Sequence, residues 1–214
     1  MDEDFFDRLR ERVLSYFEGI NPCHDISHTD RVLKLALHIG EKEGADLEIV
    51  RAAALLHDVA RREQDESRGK VCHAERGGEL AVVILREMGI SEESIEKVVR
   101  CVETHRFRKE NIPESIEAKV LYDADKLDSI GAIGIGRAFS FSGSLGSSVH
   151  VPNVDVDDSE EYGNNDCACR EFLVRLVKVR DKMFTNASRE IAEERHDFMV
   201  EFFDRLDKEV EGEL

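Results

Sequence analysis

This sequence predicts an all-α fold, and three observations carry the prediction. Only three prolines interrupt 214 residues. Apolar side chains recur three and four positions apart along most of the chain, which is helical spacing. No stretch alternates polar and apolar residues for long enough to anchor a sheet. Hydrophobic residues make up 41% of the chain, enough for a packed core. The length suits a single domain spanning 1–214, and no linker composition divides it.

The elements follow in order. A first helix covers about Asp4 to Phe17, with Phe5, Leu9, Val13 and Phe17 on one face, and Asn21-Pro22 ends it. A second starts at Ser27, where Ser27 and Asp30 have capping-box spacing, and stops before Gly44. The third, about Asp46 to Arg62, is apolar almost all round in its later half, as a central helix would be. Two more run from about His73 to Met88 and from Ser91 to Arg106, split by Gly89. Pro113 opens another, which carries Val120 to Ile130 and continues through small residues towards Phe139. From Ser140 to about Asn165 the composition turns to Gly, Ser, Asn and Asp, the mark of a long loop. Two amphipathic helices, about Cys169 to Phe184 and Ser188 to Val210, close the chain. Phe198, Phe202 and Phe203 read either as core or as the contact of a homodimer.

Charge narrows the partners. Thirty Lys and Arg against 47 Asp and Glu leave −17 at neutral pH, a field that repels polynucleotide backbones and anionic membrane surfaces. A small phosphate ester needs only a local cation to overcome it. Without a membrane-length apolar run or a basic leader at Met1-Asp2-Glu3-Asp4, the expected location is the cytoplasm. Cys23, Cys72, Cys101, Cys167 and Cys169 are scattered and odd in number, and read as reduced thiols. Gly131 to Gly136 lacks the strand-to-helix setting of a dinucleotide loop and reads as close helix packing. His38 and His196 read as surface residues.

The chemistry lies in the polar side chains that the helical pattern turns inward. His28 shares the stripe of Val32, Leu35, Ala36 and Ile39. His57-Asp58 interrupts the most apolar helix, His73 shares a face with Gly77, Leu80 and Ile84, and His105 continues the stripe of Ile95, Val98 and Val102. An ionised carboxylate in so dry a setting needs a partner or becomes neutral. Arg61 and Arg62 offer one for Asp58 along the helix but leave the imidazoles unexplained. A divalent ion explains both. Imidazole and carboxylate donors suit Mn, Fe, Co, Ni or Zn, and the lack of thiolates argues against structural zinc. A further carboxylate is expected from Asp123, Asp125 or Asp128, and periodicity leaves the choice open.

The ordered set His28, His57-Asp58 and Asp125 within Asp-Ala-Asp-Lys-Leu-Asp resembles the H…HD…D pattern of the HD-domain metal-dependent phosphohydrolases. His24 to His28, His73 with Gly77, Asp125 to Gly134 and Ile191 to His196 extend the resemblance to a small single-domain branch of that superfamily. It implies an HD-domain helical bundle with a long loop before two C-terminal helices. It also implies metal ligation by His28, His57, Asp58 and Asp125, with Mn first among the ions and Fe, Ni, Co, Zn or Mg as others. His73 and His105 lie where some branches keep ligands to a second metal; otherwise they bind phosphate or protonate a leaving group. Related nucleotidases carry a glutamate three residues after the HD aspartate, where this chain has Arg61. The expected activity is hydrolysis of a phosphate ester or anhydride in a small molecule, a nucleotide first. Asp58 would orient the attacking water, and Arg61, Lys126 and His73 would take up developing charge. The rival readings are a di-iron HD-type oxygenase or a phosphodiesterase on the same site, and a non-catalytic nucleotide sensor.

Overall fold

The computed structural model describes residues 1–19, 25–106, 111–151 and 167–214. All regular structure among them is helical, in two compact units, 1–125 and 126–214. The Asn21-Pro22 break, Cys23, His24 and the 152–166 part of the expected loop lie outside the described residues. Among the described residues no helix is long and apolar enough to cross a membrane.

In the first unit, α1 (Glu3–Leu14) is capped by Asp2, which accepts from the Phe5 N–H, and it buries Phe5, Phe6, Leu9 and Val13. A 3₁₀ turn, Ser15–Phe17, completes the expected first helix. Helix α2 (Ile26–Glu43) corrects the capping-box expectation, since Asp25 takes the cap by accepting from the N–H groups of Ser27 and His28. Asp30 is drawn away to Arg10 on α1, 2.8 Å distant. Gly44 closes α2 at φ +70°, a left-handed conformation that glycine adopts without strain.

Helix α3 (Leu47–Leu56) is capped by Asp46, and every residue from Ala52 to Ala60 is buried. It ends at Leu56, six residues before the Arg62 expected. There Val59 N–H reaches back to the Leu56 carbonyl and Arg61 N–H to that of Asp58, three-residue bonds that tighten the chain. A short α4 (Arg61–Glu66) follows. Burial runs through this tight turn as it does through a helix, so the apolar pattern hid it.

Helices α5 (His73–Glu87) and α6 (Glu92–Thr104) pack closely, parted by Gly89 at φ +78°. A Cβ on Gly78 would lie 2.7 Å from Glu103 Cγ, which explains the close approach. Helix α7 (Ile116–Leu127) begins three residues past the expected Pro113 and stops at Leu127 instead of continuing to Phe139. Its residues up to Asp125 belong to the first unit.

In the second unit Gly131, at φ +74°, starts α8 (Gly131–Ser144). A Cβ on Gly134 would sit 2.2 Å from the Ser129 carbonyl oxygen, so this position requires glycine. Residues 140–144 are thus helical rather than part of the loop. The expected Cys169 to Phe184 helix is shorter and broken: α9 (Ala168–Val174) gives way to two 3₁₀ turns, Leu176–Lys178 and Arg180–Lys182. Helix α10 (Asn186–Val210) is capped by Thr185. Phe203 is core and stacks on Phe172 at 4.4 Å, whereas Phe198 is exposed. Cys72, Cys101, Cys167 and Cys169 are free thiols. His38 is exposed, and His196 is half-buried rather than fully at the surface.

Candidate metal centre

Helix ends deliver the inward residues of the first unit to one place. His28 lies in the first turn of α2, and His57-Asp58 directly follows α3. His73 opens α5, His105 directly follows α6, and Asp125 lies near the end of α7. All six except Asp125 are buried, and its side chain is 17% exposed, which leaves the group a path to solvent.

Two sets of potential ligands result. His28, His57 and Asp125 form one, and Asp58, His73 and His105 the other; within each set the donor atoms lie within 4.8 Å of one another. Asp58 joins the sets. Its Oδ2 is 3.7 Å from His28 Nε2 and 3.8 Å from His57 Nε2, while its Oδ1 is 3.3 Å from His73 Nε2 and 3.8 Å from His105 Nε2. Asp125 Oδ1 is 3.4 Å from His28 Nε2. Asp123 and Asp128, the other candidates on that segment, belong to neither set.

Hydrogen bonds on the far side of three of the rings, His57, His73 and His105, fix which nitrogen carries the proton. His57 Nδ1 donates to the Ala54 carbonyl at 2.8 Å and His105 Nδ1 to the Val102 carbonyl at 2.6 Å. Both carbonyls belong to helix C-terminal turns, where backbone acceptors lack an intrahelical donor. His73 Nδ1 donates to Gln64 Oε1 at 2.8 Å. In a neutral imidazole the opposite nitrogen then presents a lone pair.

The consequence is sharpest in the second set. His73 Nε2 and His105 Nε2 are 3.1 Å apart, both with Nδ1 committed as donor, so two lone pairs face each other beside a carboxylate. Burial drives His73 down to about 2; Asp58 opposes that fall, and His105, Arg61 and Arg106 deepen it. Burial, then His57, drives His105 down to about 4. A proton between the rings is therefore disfavoured, and the donor set fits a divalent cation, by the same logic that orders His ligands in metalloproteins. In the first set His28 Nε2 and His57 Nε2 are 3.3 Å apart.

The remaining expected site residues are placed less centrally. Arg61 opens α4, half-buried, with its Nε 3.4 Å from Asp65, and is close enough to act on His73. No continuous helix links it to Asp58, because α3 ends before both residues. Lys126, half-buried, follows Asp125 on α7 and opens the second unit. Sequence reasoning missed Gln64 and Arg106. The only cue was indirect: an inward His73 at the start of a helix needs an acceptor that its own backbone does not supply.

The HD domain model matches residues 25–130, which hold both ligand sets. The Bacillus subtilis protein YpgQ is 35% identical over 96% of this chain and 94% of its own length. The structure of YpgQ in complex with ADP superposes with a TM-score of 0.75 at 35% identity, covering 96% of this chain and 97% of that one. An HD-superfamily hydrolase from Bacillus thuringiensis gives 0.77 at 31% identity, over 98% of each chain. A predicted HD-superfamily hydrolase from an uncultured Thermotogales bacterium gives 0.68 at 31% identity, over 95% of this chain and 91% of its own. With the motif, the all-helical architecture and these relatives in agreement, the chain belongs to the HD-domain family.

Proposed function

We propose that this chain is a metal-dependent phosphohydrolase acting on a phosphate ester or anhydride of a small molecule, a nucleotide first. The observation that carries the reading is the pair of lone pairs at His73 and His105, 3.1 Å apart beside the shared carboxylate of Asp58. His28, His57, Asp58 and Asp125 would hold one ion. Asp58, with one oxygen towards each set, favours a second ion held with His73 and His105. When bound, such ions bring a water towards its conjugate base at neutral pH and polarise a phosphoryl oxygen. Mn is the first candidate, as imidazole and carboxylate donors suit it.

The residues of the chain do the rest. Asp58 orients the water, on a side where His28, His57, His73 and His105 are all buried. Arg61 supplies the local positive charge that a phosphate needs against a net charge of −17. The ADP bound by YpgQ supports a nucleotide ligand for its 35%-identical relative here. Matches across nearly the whole chain support reading 1–214 as one functional domain.

Purified protein stripped of metal and reloaded with Mn²⁺ should release phosphate from one or more nucleoside mono-, di- or triphosphates. Asp58→Asn and His57→Ala should abolish that release. Stoichiometric nucleotide binding with no product would favour a sensor. Two bound irons, with oxygen consumed and no phosphate released, would favour the oxygenase.

A further inference from the structure

His57, His105 and His73 are held in different ways, and His73 identifies a residue to which the metal reading gives no role. His57 and His105 follow helix C-termini, where orphan carbonyls accept their Nδ1 protons. His73 is the first residue of α5, where the neighbouring backbone groups are N–H donors. An acceptor must come from elsewhere, and it comes from Gln64 on α4.

Gln64 is the one buried residue of a helix otherwise made of charged side chains. Its Oε1 receives His73 Nδ1–H at 2.8 Å, the His73 backbone N–H at 3.4 Å, and a short bond from Arg106 Nη1. A side-chain amide can turn either its oxygen or its NH₂ to a neighbour, and the NH₂ would reverse the bond to His73. A guanidinium only donates. Arg106 Nη1 makes its short bond to the amide oxygen and lies farther, at 3.4 Å, from His73 Nδ1, so the oxygen is held in place as the acceptor of both. The same oxygen serves as a cap for α5, whose N-cap residue Cys72 makes no side-chain capping bond.

We propose that Gln64, held by Arg106, is a positioning residue that locks His73 in the Nδ1–H tautomer and thereby presents its Nε2 lone pair to Asp58 and His105. The proposal rests on the phosphohydrolase reading for the identity of the ion, but not for the state of the ring. Both residues act through His73.

The test uses the full-length chain and two readouts. Long-range ¹H–¹⁵N spectra of the metal-free protein report the His73 tautomer, and Mn²⁺ titration reports ion number and affinity. The wild type should show His73 as the Nδ1–H tautomer alone. Gln64→Met, which keeps volume but loses the acceptor, should give a mixture of tautomers and weaken the more loosely held ion by about ten- to hundredfold. Gln64→Glu restores an acceptor and should return both to near wild type. Arg106→Leu, which frees the amide to turn, should also mix the tautomers, and it replaces Gln64→Met if that variant does not fold. An unchanged tautomer in Gln64→Met, or in Arg106→Leu as its replacement, would overturn the proposal while leaving the phosphohydrolase reading intact. Mixed tautomers in a protein whose wild type binds no Mn²⁺ would support the positioning role and sink the phosphohydrolase reading.

Discussion

Two buried aspartates, Asp58 from the first unit and Asp128 from the second, are accommodated in opposite ways. Asp128, 1% exposed, meets a guanidinium: Arg137 Nη1 lies 2.8 Å from its Oδ2 and also donates to its backbone carbonyl. Asp58, 3% exposed, instead has four imidazole Nε2 atoms at 3.3–3.8 Å. A fixed cation from the chain makes a structural element. A carboxylate set among imidazole nitrogens is, on the function proposed above, a receptacle for a cation from outside. The difference teaches where to look for chemistry in a bundle with many inward polar groups.

Crossed substitutions would break that comparison most forcefully. Asp58→Asn should abolish turnover, at least a thousandfold, and remove bound metal, while leaving the metal-free fold as stable as before. Asp128→Asn should do the reverse: about 3 kcal/mol of stability lost, because Arg137 stays behind as a poorly paired cation, with metal content unchanged. Denaturant melts and metal analysis on both variants read the two effects. Equal effects on stability would mean that the two aspartates serve one purpose.

Removing metal from the wild type comes next. If an ion fills the Asp58 group, saturation at a hundred times its Kd should stabilise the fold by about 2.7 kcal/mol, seen as a chelator-reversible rise in Tm. Gly134→Ala sharpens the contrast from the second unit. The new Cβ would meet the Ser129 carbonyl, costing about 1–3 kcal/mol without altering Mn²⁺ affinity.

The smallest effect is a pH trend in the metal-free protein. His105 and His73 titrate at about 4 and about 2 when folded and near 6.5 when unfolded. The unfolded chain therefore binds more protons below pH 6.5, and stability must fall as pH drops from there towards 4. Thermal melts at pH 7, 6 and 5 should show Tm decreasing. A flat or rising series would mean that the rings already share protons in the fold.

Much of this was legible in the sequence, for physical reasons. Helical periodicity placed His28 and His105 inward, and Gly44 and Gly89 ended their helices by taking positive φ. Three features were not legible. Ser27 and Asp25 are both good caps two residues apart, and the choice turned on Asp30 being claimed by Arg10, a contact between helices. The tight turn after Leu56 is as apolar as the helix before it, so nothing local announced that His57 and Asp58 sit beyond a helix end. Gln64 lay in a charged run that reads as solvated surface, and only the position of His73 shows why it is buried. Among Asp123, Asp125 and Asp128, spacing could not choose. The fold sets Asp125 beside His28 and gives Asp128 to Arg137.

The central claim is most directly tested by anomalous diffraction from crystals of the Mn²⁺-loaded protein, recorded at the Mn absorption edge. The account predicts strong peaks flanking the Asp58 carboxylate, one bounded by His28, His57 and Asp125 and one by His73 and His105. Featureless anomalous maps there, with the two imidazole pairs merely sharing protons, would contradict it.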